Sequence, residues 1–337
     1  MGEWPTLTCS KILAMDWLTR IETWQDEWFN TWLAPWLFDM GLGNYLEMAY
    51  DAVNWFWVGL VQVAVIALVL MPLERLRPVE PPQWSAAVRV DVIYTLIHRL
   101  GVFRLLFFFS LQPLVQAGLN ALRLAGLPTF SIDQLWPGVT DHAGVSFVIY
   151  LVALDAVNYL YHRLQHQWEP LWALHALHHS QRHLNAWTDN RNHLLDDALH
   201  ASVMALVALL IGVEPSQFLG WVALTQLCES LQHANVRLAW SPWFERLFVS
   251  PRFHRLHHAI GIGHEFPGAV LGGHNFGVLL PWWDLLFGTA RYDNHFYATG
   301  IRDQVDQGRD YGQGFWQQQW LGFKRLREAV WPGAKPS

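Results

Sequence analysis

The chain has 337 residues, a net charge of −6, 52% hydrophobic residues and only 15% charged ones. Soluble domains carry about 25% charged residues, which excludes a wholly water-exposed protein; a mean hydropathy of +0.13 excludes one wholly buried in lipid. Acidity without a large basic block argues against nucleic acid as a partner. Cys9 and Cys228 lie far apart and give neither a disulfide framework nor a thiolate metal motif.

Residues 1–12 lack the basic start and continuous apolar run of a cleaved signal. Over residues 4–40, Trp17, Trp24, Trp28 and Trp32 recur at helical spacing, with Arg20, Asp26 and Glu27 on other faces. That pattern fits an amphipathic helix lying on a membrane and equally a surface helix packed on a core. The 21 tryptophans raise the same choice chain-wide. Headgroup layers suit a ring that is buried at one end and wet at the other; core filling is the alternative.

Trp55 to Pro72 is charge-free and close to the roughly 20 residues a bilayer core requires. Glu47 and Asp51 precede it and Arg75 and Arg77 follow, so the chain should run here from outside to cytoplasm. Pro78, Pro81 and Pro82 read as a linker. Leu105 to Leu122, kinked at Pro113, would carry the chain back. Residues 126–142, with Pro128, Pro137 and Gly138, read as an outer loop. Gly144 to Tyr161 is a third span that holds Asp155 and Asn158 and runs into His162 and Arg163. Residues 199–231 form two shorter apolar pieces broken at Glu214-Pro215, read as a helical hairpin that returns His233 to the same side. Residues 234–337 are mixed in polarity, punctuated by Gly and Pro over 261–281, and end in an amphipathic helix at about Trp316 to Val330.

The expected fold is therefore all-α: an integral membrane helical bundle of about three spans plus a short helical hairpin, with a histidine-rich helical cap on the cytoplasmic face. Four regions follow: a Trp-rich amphipathic segment (1–50), membrane helices and loops (51–143), a catalytic domain (144–295) and an amphipathic tail (296–337).

Eight of the 17 histidines fall in three boxes. His162 and His166 read HRLQH; His175, His178 and His179 read HALHH; His254, His257 and His258 read HRLHH. Spacings of three and four put the imidazoles of one box on one helix face, and the topology puts all boxes on one side of the membrane. Imidazole is the commonest side-chain metal ligand. A structural zinc takes four ligands and a catalytic zinc three, so eight to ten nitrogens suit two metals held close together. His233 is the ninth expected ligand. Glu229, one turn before it, is a further ligand or a supporting carboxylate. Asp155 and Tyr159 share the stripe of His162, where Asp155 could orient an imidazole. His193, His264 and His274 read as hydrogen-bonded structural residues; His98, His142, His183, His200 and His295 show no ligand spacing.

A metal transporter would place its ligands in mid-membrane, and bis-histidine haem sites would not need such triplets. A zinc hydrolase would show HExxH or a similar set with a glutamate base. A metal-dependent enzyme at the bilayer surface fits better than any of these; a histidine-rich membrane metal protein that is not an enzyme (a transporter or sensor) is the reading from another class.

In order, DAVNYLYHRLQH (Asp155, Tyr159, His162, Arg163, His166), HALHHS (His175 to Ser180), QHAN (His233, Asn235), HRLHH and NFG…WDLLFGT (275–289) make the chain similar to the fatty acid hydroxylase/sterol desaturase superfamily over about residues 145–295. The resemblance implies a membrane-bound, di-metal oxygenase. Such an enzyme uses dioxygen and two electrons to hydroxylate a fatty acyl or sterol-like lipid, or to desaturate it. Two non-haem irons are the implied cofactor, with zinc an alternative occupant in purified protein. Some relatives carry a second HxxxH pair where this chain has Glu229 and His233. No dinucleotide-binding glycine motif follows a strand, so a separate ferredoxin-, rubredoxin- or cytochrome-type donor is expected at the cytoplasmic cap.

Overall fold

The structure is a computed structural model that describes residues 23–331 apart from 128–130, 132–133, 239 and 267–269. Cys9, Trp17, Arg20 and Pro128 lie outside the described residues. The chain separates into two compact units, Met1–Trp57 and Val58–Ser337. In the first, a π-type turn, Phe29–Leu33, leads into helix α1, Ala34–Asp39. Phe29 and Leu37 are buried while Trp24, Trp32 and Trp36 are exposed, so these tryptophans do not fill a core.

Three helical stretches are long and apolar enough to cross a membrane: Gly43–Leu76, Ala143–Gln165 and Leu194–Ile211. Only 22%, 33% and 17% of their most apolar windows are buried by the protein itself. Helices that keep most of an apolar surface uncovered need lipid around them. The first stretch comprises α2, Leu46–Val65, a π-type turn, Ile66–Leu70, and α3, Met71–Leu76. Pro72 has no N–H for the carbonyl one turn back, and the wider turn just before it absorbs the missing bond. Next come α4, Ala86–Arg99, α5, Val102–Ser110, and α6, Gln112–Leu124.

The expected span Leu105 to Leu122 is thus two helices, broken at Leu111 with Pro113 in the first turn of the second. Neither half is long enough to cross alone. The span Ala143–Gln165 is α7, followed by α8, Glu169–His179, with a proline in its first turn. Helix α9, Leu194–Ile211, starts five residues before the apolar stretch expected from 199. Asp196 and Asp197 stand in its first turn, where the helix dipole favours anions. Gly212, in left-handed conformation at φ 75°, ends α9, and α10, Pro215–His233, begins three residues later. The hairpin is present, but its first arm is of membrane length. Leu154 of α7, Met204 and Ala208 of α9 and Trp221 of α10 form one buried apolar cluster that ties the three together.

Ser250 caps α11, Pro251–His257, by accepting a hydrogen bond from Phe253 N at 3.0 Å. A two-stranded antiparallel hairpin follows, β1 (Glu265–Phe266) and β2 (Val270–Leu271), with Glu265 opposite Leu271. Helices α12, Trp282–Phe287, α13, Arg302–Asp306, and α14, Phe315–Val330, complete the chain, and α14 packs along α8.

Candidate metal centre

Four helix ends meet at one place. The end of α7 brings His162 and His166, α8 brings His175, His178 and His179, α10 ends on His233, and α11 brings His254, His257 and His258. Their ring nitrogens gather into two buried groups, each within 4.8 Å internally: His162, His166, His175, His179 and His257, and His178, His233, His254 and His258. The nine histidines singled out from the sequence are the nine in these groups. Each HxxHH box divides between the two groups. Residues four apart stay together, as His175 with His179 and His254 with His258 do, whereas adjacent residues lie about 100° apart around a helix. His178 and His179 therefore face different groups, and so do His257 and His258.

Partners outside the groups aim the rings. His162 Nδ1 donates to the carbonyl of Phe276 (2.9 Å), His257 Nδ1 to that of His274 (2.8 Å) and His233 Nδ1 to that of Glu229 (2.8 Å). A carbonyl only accepts, so the proton sits on Nδ1 and the Nε2 lone pair points inward. His175 Nδ1 meets Asp196 Oδ2 at 3.2 Å, and Gln165 Nε2 donates to both oxygens of that carboxylate at 2.8 and 2.9 Å. Nε2 of His162, His175 and His257, and both nitrogens of His166 and His179, are buried without a partner among the described residues. In the second group, Nε2 atoms crowd against one another: His178 to His233 at 3.1 Å, His233 to His254 at 3.0 Å, His254 to His258 at 3.2 Å. Ligands on a common ion with bonds of about 2.1 Å stand about 3.0–3.4 Å apart, so these spacings fit a metal.

Burial holds His166, His178, His179, His254, His257 and His258 well below the usual imidazole range, and neighbouring imidazoles push the same way. His175 is pushed down to about 3 by burial, against the pull of Asp197. Neutral rings keep the lone pairs that a metal needs.

The other expected site residues act at one remove. Asp155 touches no imidazole. It accepts from Leu279 N (2.9 Å), Leu280 N (3.2 Å) and Trp283 Nε1 (3.0 Å) and so fixes the loop whose Phe276 carbonyl holds His162. Asp284 clamps the same loop by accepting from Phe276 N, Gly277 N and Thr289 Oγ1. Asn275, at φ 64°, braces it to Phe253 O and Arg291. That is the structural work of NFG…WDLLFGT. Tyr159 pairs its hydroxyl with Thr289 Oγ1 at 2.9 Å. Glu229 contributes its carbonyl to His233, and Asn235 grips the proline linker by accepting from Val79 N and Glu80 N.

Two features escaped the sequence. Asp196 has no ligand spacing, and its only visible signal is the acidic pair opening α9. His264 is not hydrogen-bonded: both ring nitrogens are buried without a hydrogen-bond partner among the described residues, Glu265 Oε1 lies 3.8 Å from Nε2, and the ring stacks on Trp172 at 5.1 Å. His193, by contrast, does have the expected hydrogen bonds, to Gln319 O and from Leu195 N.

Residues 147–289 match the fatty acid hydroxylase family. This segment carries a fatty acid hydroxylase domain. Ornithine lipid hydroxylase OlsE of Rhizobium tropici is 29% identical over 271 residues, 79% of this chain and 77% of that protein. Alkylglycerol monooxygenase of Caenorhabditis elegans is 27% identical over 150 residues, and that of Homo sapiens 25% over 184. The alignments cover 44% and 55% of this chain but only 28% and 36% of those longer relatives. No solved structure matches the chain. Fatty acid hydroxylases are iron-dependent oxidoreductases, and this chain holds two buried histidine clusters of suitable chemistry.

Proposed function

We propose that the chain is a membrane-bound di-iron oxygenase that hydroxylates a lipid at an unactivated C–H bond. The balance is R–H + O2 + 2 electrons + 2 protons giving R–OH + H2O. The observation that carries this reading is the pair of adjacent histidine groups with inward lone pairs. His162, His166, His175, His179 and His257 would hold one iron, and His178, His233, His254 and His258 the other. When bound, the irons supply the dioxygen and redox chemistry that no side chain can.

The protein's own part is orientation and dryness. Carbonyls and Asp196 fix the tautomers of the ligand rings, and the buried setting keeps water from the reacting centre. A lipid substrate is supported by the names of the relatives and by the three membrane-length helices; a fatty acyl or sterol-like chain would enter from the bilayer. The two electrons come from a separate ferredoxin-, rubredoxin- or cytochrome-type donor docking on the cytoplasmic face, an orientation supported by Arg75 and Arg77 at the end of the first span.

Anaerobic purification and metal counting test the proposal. About two irons per chain are expected, with O2- and reductant-dependent hydroxylation of membrane lipid extracts. Zinc alone, with no activity restored by iron and a reductant, overturns it.

A further inference from the structure

Helix α14 is inside out for a helix of a water-facing cap. Its inward face is polar, with Gln318, Gln319, Gly322 and Arg325 buried. Gln319 Nε2 donates to the Tyr94 hydroxyl at 2.9 Å and its Oε1 accepts from Leu194 N at 2.8 Å. Arg325 Nε donates to Ala173 O at 3.0 Å. The outward face is aromatic: Trp316 is 78% exposed, Trp320 70% and Phe323 48%. Their spacing of four and three aligns them in one stripe, with Lys324 and Arg327 exposed beside it. Each such ring carries about 150–250 Å² of surface, and apolar patches of this kind mark interaction sites.

The position of the helix says what covers the stripe. Leu194 is the first residue of α9, a helix of membrane length, and Gln319 binds its free N–H. Helix α14 is thus pinned to the end of a membrane-length helix, where hydrocarbon would give way to headgroups. Tryptophan favours that layer, and lysine and arginine reach lipid phosphates from it. The polar inward face is engaged by Tyr94, Leu194 and Ala173, with the Arg325 guanidinium over the Tyr311 ring, so the aromatic stripe is not a displaced core face.

We propose that α14 is an interfacial helix resting on an anionic bilayer surface, with Trp316, Trp320 and Phe323 at the headgroup–acyl boundary and Lys324 and Arg327 on phosphates. Through Arg325 on Ala173 it braces α8, the helix of His175, His178 and His179, at a fixed depth below the lipid. The inference holds whichever metal the histidines bind.

Full-length protein in phosphatidylcholine/phosphatidylglycerol vesicles tests it. With Cys9→Ser and Cys228→Ala as background, nitroxides are placed singly through Trp320→Cys, Phe323→Cys and, as an aqueous control, Gln313→Cys. All three positions are exposed, so the labels displace no buried contact, and circular dichroism matching the unlabelled protein is required of each. Oxygen, which partitions into lipid, should relax the labels at 320 and 323 more strongly than a soluble nickel chelate, with the order reversed at 313. Nickel dominance at all three positions overturns the proposal. So does dipolar broadening at 320 that vanishes on dilution with unlabelled protein, which would make a second copy the occupant.

Discussion

His179 stacks on His258 with ring centroids 4.3 Å apart and planes 21° apart. The first ring belongs to the five-histidine group and the second to the four-histidine group. The two groups therefore meet across a stacked pair of imidazoles, and each ring serves its own group. Removing a ligand from one group should empty that group first. His258→Ala is expected to leave about one iron per chain in the His162–His257 group, and His257→Ala about one in the other. Metal analysis joined to electron paramagnetic resonance checks this: each variant should show an isolated single-iron signal. Loss of both metals from both variants would show instead that the groups fill only together.

Asp196 should matter as much as a ligand of modest strength. It is the sole carboxylate bonded to a clustered imidazole among the described residues, and Gln165 locks its orientation. Removing a partner of this kind typically costs about 10–100-fold in metal affinity. Asp196→Ala is expected to weaken binding to the His175 group by that factor in a chelator competition. Asp196→Asn, which keeps an acceptor oxygen, should lose less.

The boxes were legible because ligand spacing is a local property of helices. His162 with His166, and the two triplets, announce a shared face from sequence alone. What the sequence hid is non-local. The 100° step between His178 and His179 becomes a division of labour only when α11 supplies the second wall. Asp155 sits on the stripe of His162 and invites a direct bond to it, but its oxygens are taken by Leu279, Leu280 and Trp283 from 124 to 128 residues away. The membrane helices were legible from charge-free runs, except where aspartates in a first turn disguised the start of α9 and where Pro113 split one run into α5 and α6.

Acid should unfold the metal-free protein sooner than its carboxylates alone would require. His175 is pushed to about 3 and His264 to about 4, each mainly by burial. An unfolded histidine titrates near 6.5, so below that pH the unfolded chain binds more protons than the folded one. Stability from these groups is fully present above about pH 6.5 and is lost as pH falls toward 4. The melting temperature of the metal-free protein in detergent should drop steadily over that window. His264→Phe keeps the stack on Trp172 without a titrating nitrogen and should flatten part of the drop; an unchanged profile would exclude His264 as a contributor.

Gly263 should tolerate no side chain. A Cβ there would lie 1.8 Å from the carbonyl oxygen of His257 and 2.6 Å from that of Leu256, backbone atoms with no room to give. The close approach lets Gly263 N donate to Ala259 O at 2.9 Å and its carbonyl accept from His274 N at 3.1 Å. His274 in turn presents the carbonyl that holds His257 Nδ1. Gly263→Ala must push the hairpin off α11, at a cost of roughly 1–3 kcal/mol or more by overpacking, and the displacement is delivered to His257. The expected phenotype is selective: metal loss from the His257 group, with the His254 group and the helical circular dichroism largely retained. Gly118→Ala is the matched control, because a Cβ at that helical position meets nothing within 4 Å. Equal metal content in the two variants would mean that the hairpin does not set the aim of His257.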